Sequence, residues 1–160
     1  MDHSRKEFSD KVRDGLLHMK DEVTNNIRNA LSRDLPGVEV LQFSIFSGNE
    51  GLPVTLFGMN ADRSEEILRR DDAGELDSVL CENLSDSFEE FIDEDEIIDF
   101  SDSSPDGEPE LAGFEMVSRV IAEFIRECYL EAGGADHPLP CVAQHEDSLP
   151  FLDLKTGQWN

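Results

Sequence analysis

Between Asp71 and Ser118 the chain places eighteen Asp and Glu, and not one Lys or Arg, within 48 residues. A run of like charge repels itself and tends to stay unfolded, so any ordered structure there must be held by its apolar residues. Leu76, Leu80, Leu84, Phe88, Phe91 and Ile92 advance by 4, 4, 4, 3 and 1, which predicts an amphipathic helix over residues 75–93. Its polar face would show Glu75, Asp77, Glu82, Asp86, Glu89, Glu90 and Asp93, with no cation one turn away to relieve the repulsion. Ile97-Ile98-Asp99-Phe100 follows as a short apolar island, and residues 101–109 read as a loop of turn formers.

The remaining 112 residues hold 19 acids and all 13 bases, so this block carries most of the net charge of −24. Such an imbalance repels nucleic-acid phosphates and anionic lipid and excludes both as partners. A hydrophobic content of 38%, with ten Phe among 160 residues, still supplies a core for one domain. No window reaches the roughly 18 apolar residues of a membrane span, and the N-terminus lacks a secretory apolar stretch, which points to the cytoplasm. Cys81, Cys128 and Cys141 show no CxxC spacing and are expected to be thiols buried as small hydrophobes.

Two similar units flank the acidic block. Phe8, Val12, Leu16, Met19, Val23, Ile27, Ala30 and Leu31 form one helical stripe, predicting a single helix over about residues 5–34 that ends at Leu35-Pro36-Gly37. Residues 38–46 read as a strand, with a bulge where the alternation slips, paired as a hairpin with residues 52–58. Phe114, Val117, Val120, Ile121, Phe124, Ile125 and Cys128 mark a second helix, about 110–132, halted by Gly133-Gly134. Strands at 139–145 and 149–157 follow. Leu52-Pro53 matches Leu149-Pro150 at an offset of 97, which raises an internal duplication. The expected architecture is a single α+β domain: an antiparallel sheet of about four strands from two helix-hairpin units (1–60 and 111–160), packed by helices, with an acidic central helix and loop at 71–110.

No chemistry-bearing pattern survives inspection. His137, Cys141 and His145 are spaced by four, but Pro138 and Pro140 forbid a helix, and a strand would spread them over about 26 Å, too far for one zinc ion. Asp102, Asp106 and Gly107 fit a calcium loop only in part, with Ser104 and Gly113 at two ligand positions. His145, Asp147 and Ser148 are neighbours in one turn, whereas triads converge from distant segments. Lys155-Thr156-Gly157 has no accompanying SxxK, and there is no phosphate-cradling glycine motif. The expectation is a protein without catalytic residues, metal or cofactor. Trp159, the sole Trp, is expected to plug the core.

The run Glu89-Glu90-Phe91-Ile92-Asp93-Glu94-Asp95-Glu96 in a compact α+β chain, with the closing segment from His145 to Leu154, resembles the small acidic bacterial toxin-immunity proteins. The resemblance implies a non-catalytic protein that binds and blocks a basic partner such as a toxin. The central acidic helix and the loop beside it, with Glu82, Asp86, Glu89, Glu90, Asp93, Glu94, Asp95 and Glu96, would make the contact. In size, charge and opening helix the chain is also similar to the acidic chaperones of bacterial type III secretion, although those close on a further helix. An unrecognised enzymatic site is the third alternative.

Overall fold

The computed structural model describes residues 2–46, 53–84, 109–145 and 151–160, with side chains described from residue 7 and, in the third segment, from residue 117. The helical stripe at the N-terminus folds as two helices, α1 (Asp2–Leu17) and α2 (Lys20–Leu31), in place of the single one expected. No proline or glycine stands at the break itself, although Gly15 lies in the last turn of α1. Met19 leaves the helical conformation (φ −107°, ψ 8°) and its N–H bonds three residues back, to Leu16 O at 3.0 Å. The stripe survives because Phe8, Val12, Leu16, Met19, Val23, Ile27 and Ala30 all remain buried in one core. Helix α2 stops at Ser32, ahead of Pro36. Gly37 (φ +79°) then makes the tight turn that brings Val38 N onto Leu35 O.

Strands β1 (Val40–Ile45) and β2 (Val54–Met59) pair antiparallel, from Val40 opposite Met59 to Ile45 opposite Val54, without the expected bulge. The alternation in the sequence slips because β1 is buried on both faces, so its apolar residues do not report a single side. Leu41, Phe43 and Ile45 face the helices with Val54 and Leu56, while Val40, Gln42 and Ser44 face the other way.

Helix α3 (Pro109–Glu131) buries Val117, Ile121, Phe124, Ile125 and Cys128 and packs against α1, α2, β1 and strand β6 (Cys141–His145). Strand β6 lies alongside β1, but parallel to it, with Leu41 opposite Cys141 and Ile45 opposite His145. With β5 (Cys81–Asn83) on the outer side of β2, and β7 (Leu152–Asp153) beyond β6, the result is one five-stranded sheet in the order β5-β2-β1-β6-β7. The α+β class holds. The expected four-stranded antiparallel sheet is replaced by a mixed one with a parallel junction at its centre. Strands β1 and β6 run the same way under helices on one face, with their hairpin partners on opposite sides, so the two units form a mirror arrangement that no rotation superposes.

The helix expected over 75–93 is overturned across residues 75–84; residues 85–93 lie outside those described, as does the 101–108 stretch. Instead β3 (Leu68–Arg70) and β4 (Leu76–Ser78) form an exposed two-stranded ribbon, turned at Gly74 (φ +80°), and β5 follows. Leu76 is exposed on β4, whereas Leu80 and Leu84 are buried on either side of β5, so the four-residue spacing joins separate elements and marks no common face. The pattern at Leu76, Leu80 and Leu84 did not discriminate.

Past α3, Gly133 takes a left-handed conformation (φ +90°) and the next residue, Gly134, is buried against Tyr129, whose hydroxyl donates to Gly134 O at 2.7 Å. A Cβ on Gly134 would sit 2.3 Å from the Tyr129 ring. Gly134→Ala is therefore expected to cost about 1–3 kcal/mol through overpacking, read as a lowered urea midpoint with a changed tyrosine band in near-UV circular dichroism. An unchanged midpoint would contradict this packing.

Candidate functional site

The acidic surface begins on the β3–β4 ribbon. Asp71, Asp72, Glu75 and Asp77 are all exposed, and Asp71 Oδ1 organises the turn by accepting from Ala73 N and Glu75 N, each at 2.9 Å. The ribbon also exposes Leu68 and Leu76, with Arg69 and Arg70 beside them. Of the eight residues expected to meet a partner, Glu82 is described. It lies on β5, opposite Leu56, and its carboxylate forms an ion pair with Arg33 just beyond α2. Glu82 is thus compensated within the fold, which corrects its assignment to an uncompensated helix face. Asp86, Glu89, Glu90, Asp93, Glu94, Asp95 and Glu96 lie outside the described residues.

The helical layer carries its own ion pairs, Arg13 to Glu127 at 2.5 Å and Lys20 to Glu131 at 3.3 Å, which tie α1 and α2 to α3. Both are solvent-facing pairs of the kind that contribute little. Hydrogen bonding to Glu127 raises the Arg13 pKa, and bonding to Glu131 raises that of Lys20.

Residues considered for chemistry take structural places. Cys141 is fully buried in the core, and burial holds its thiol well above the ordinary range. His137 Nδ1 accepts from Leu139 N at 3.2 Å, and partial burial, then the Lys155 charge, lowers its pKa. His145 ends β6; Asp147 and Ser148 lie outside the described residues. Among the described residues no three His, Cys, Asp or Glu side chains gather as a metal would require. Cys81 is exposed, against the expectation that all three thiols would be buried. Trp159 packs against the core as expected, with the Arg119 guanidinium 5.3 Å from its ring centre. No described helix is long and apolar enough to cross a membrane.

The sequence reading missed a polar cluster on the sheet face turned away from the helices. There Gln42 of β1 and Gln144 of β6 stand on neighbouring parallel strands, two register steps from offering the same Oε1 group side by side. Arg63, from the β2–β3 loop, reaches across: its Nη1 donates to Gln144 Oε1 at 2.8 Å and, more weakly, to Gln42 Oε1 at 3.4 Å. Its guanidinium lies 4.1 Å from the Phe151 ring centre, within cation–π range. The side chain is half-buried, and that burial lowers its pKa. The only sequence signal was a lone Arg in a polar loop; pairing of β1 with β6 had to be known before Gln42 and Gln144 could be placed together.

No protein-family model matches the chain, and neither a curated protein nor a solved structure matches it.

Proposed function

We propose that this chain is a non-catalytic protein-binding protein, immunity-like, which neutralises a basic partner such as a toxin through its acidic surface. The observation that carries the reading is the stretch from Asp71 to Ser118, which holds eighteen carboxylates and no Lys or Arg of its own. The described start of that stretch supports it: Asp71, Asp72, Glu75 and Asp77 are held at the surface on an ordered ribbon. A concentrated negative potential speeds encounter with a cationic surface and repels wrong partners.

The test uses the full chain immobilised and exposed to extract of its source cells. Proteins retained at low salt are expected to be rich in Lys and Arg and to elute as the screening length falls from about 30 Å at 0.01 M to about 8 Å at 0.15 M. Their association with a Glu89→Lys, Glu90→Lys, Asp93→Lys variant is expected to slow by about tenfold or more at low salt, with an unchanged melting temperature. Equal association rates for the two chains at low salt would overturn the proposal.

A further inference from the structure

We infer that Arg63, held between Gln42, Gln144 and Phe151 on the helix-free face of the sheet, is a binding site for a carboxylate. The inference does not depend on the function proposed for the acidic surface.

Three observations carry this. First, the Arg63 backbone adopts a left-handed conformation, φ +59°, the one non-glycine residue among those described to do so. Gly takes that position without the steric cost an Arg Cβ incurs. The loop does not need the arginine to hold its shape. Asn60 Oδ1 accepts from Ser64 N at 2.9 Å and Glu65 N at 3.1 Å, Asn60 N bonds to Glu65 O, and Ala61 N donates to Glu39 Oε2 at 2.8 Å. The strained residue is therefore present for its side chain.

Second, a half-buried guanidinium in a chain of 37 carboxylates has no carboxylate partner among the described residues. The adjacent Asp62 is turned to its own loop, accepting from Ser64 N and Ser64 Oγ. Partly desolvating a cation against two neutral amides and one aromatic ring leaves its charge uncompensated, and an anion would complete the site.

Third, the guanidinium is oriented. Its hydrogen bonds to the glutamines leave from Nη1, and the Phe151 ring lies over it, while Nε and Nη2 carry no hydrogen bond to any described residue. These two atoms form the edge that pairs with the two coplanar oxygens of a carboxylate. A phosphate dianion fits less well: the chain repels it about twice as strongly, and no second cation contacts this group among the described residues.

The experiment follows the Arg63 Nε–Hε signal of the full chain by ¹H–¹⁵N correlation during titration with sodium acetate, with sodium chloride at matched ionic strength as reference. The expected result is a saturable shift with a millimolar midpoint, confined to Arg63 and to the amides of Gln144 and Phe151. In Arg63→Lys the acetate response of those amides is expected to weaken about tenfold or more, and in Arg63→Gly, which relieves the strained backbone and so retains the fold, to disappear. A linear shift that sodium chloride reproduces, an undiminished response in either variant, or tighter binding of inorganic phosphate than of acetate would overturn the inference.

Discussion

Replacing Phe43 by alanine is expected to lower the unfolding free energy by about 3–5 kcal/mol, the range for removing a buried phenyl ring from a core that cannot collapse around the void. The site gives little room for relaxation. Phe43 is completely buried on β1, opposite Leu56 of β2 on one side and Ala143 of β6 on the other, and it belongs to the cluster formed with the helices. Both flanking strands are fixed by backbone ladders, and Ala143 has no side-chain length with which to fill a gap. Against a typical total of about 5–15 kcal/mol, such a loss brings the chain close to its unfolding threshold. Urea titration followed by circular dichroism measures the effect, and a loss below about 1.5 kcal/mol would show that β1 is not the centre of the core.

A second large effect is expected on the alkaline side. Burial pushes the Cys128 thiol up to about 11 from an ordinary value of 9.0, and it pushes Cys141 and the Tyr129 phenol upward as well. All three are neutral when protonated, so the folded state holds these protons more tightly than the unfolded chain does. Stability is therefore fully present below about pH 9 and is lost as pH rises toward 11, by about 2–3 kcal/mol through Cys128 alone and further through its two neighbours in effect. Urea midpoints at pH 8, 9, 10 and 11 should fall progressively, and Cys128→Ala should flatten part of that decline. A thiol reagent at pH 8 should modify the exposed Cys81 first, slowed because partial burial and the nearby Glu66 carboxylate raise its pKa, and reach Cys128 and Cys141 only in denaturant. A flat stability profile between pH 8 and 11, or rapid modification of all three thiols in the native chain, would contradict the burial described.

What could be read from the sequence was whatever depends on local periodicity. Phe8 through Ala30 and Val117 through Cys128 announced their buried faces because a 3.6-residue repeat is written within a single element. Gly133 announced the end of α3 for the same reason: the left-handed exit is a property of one residue. The parallel pairing of β1 with β6 was not legible, since nothing in Leu41 or Cys141 names the other as its partner across the intervening chain. Leu76, Leu80 and Leu84 misled because a helical spacing fell by chance on residues of different elements, one exposed and two buried, and Glu82 was misassigned along with them. The Arg63 cluster could not be seen at all, as its members come from β1, a loop, β6 and the segment at Phe151.

The parallel junction also governs how the chain is made. Strand β1 leaves the ribosome ahead of β6, can pair with β2 once that strand emerges, and then waits for about eighty further residues before β6 is synthesised. At about 5–20 residues per second that is an interval of roughly 4–16 seconds in which a nascent hairpin would present an open, apolar border to other nascent chains. The residues translated during that wait include the eighteen carboxylates. Whatever they later bind, they give each unfinished polypeptide a strong mutual repulsion during the period in which it is most prone to aggregate.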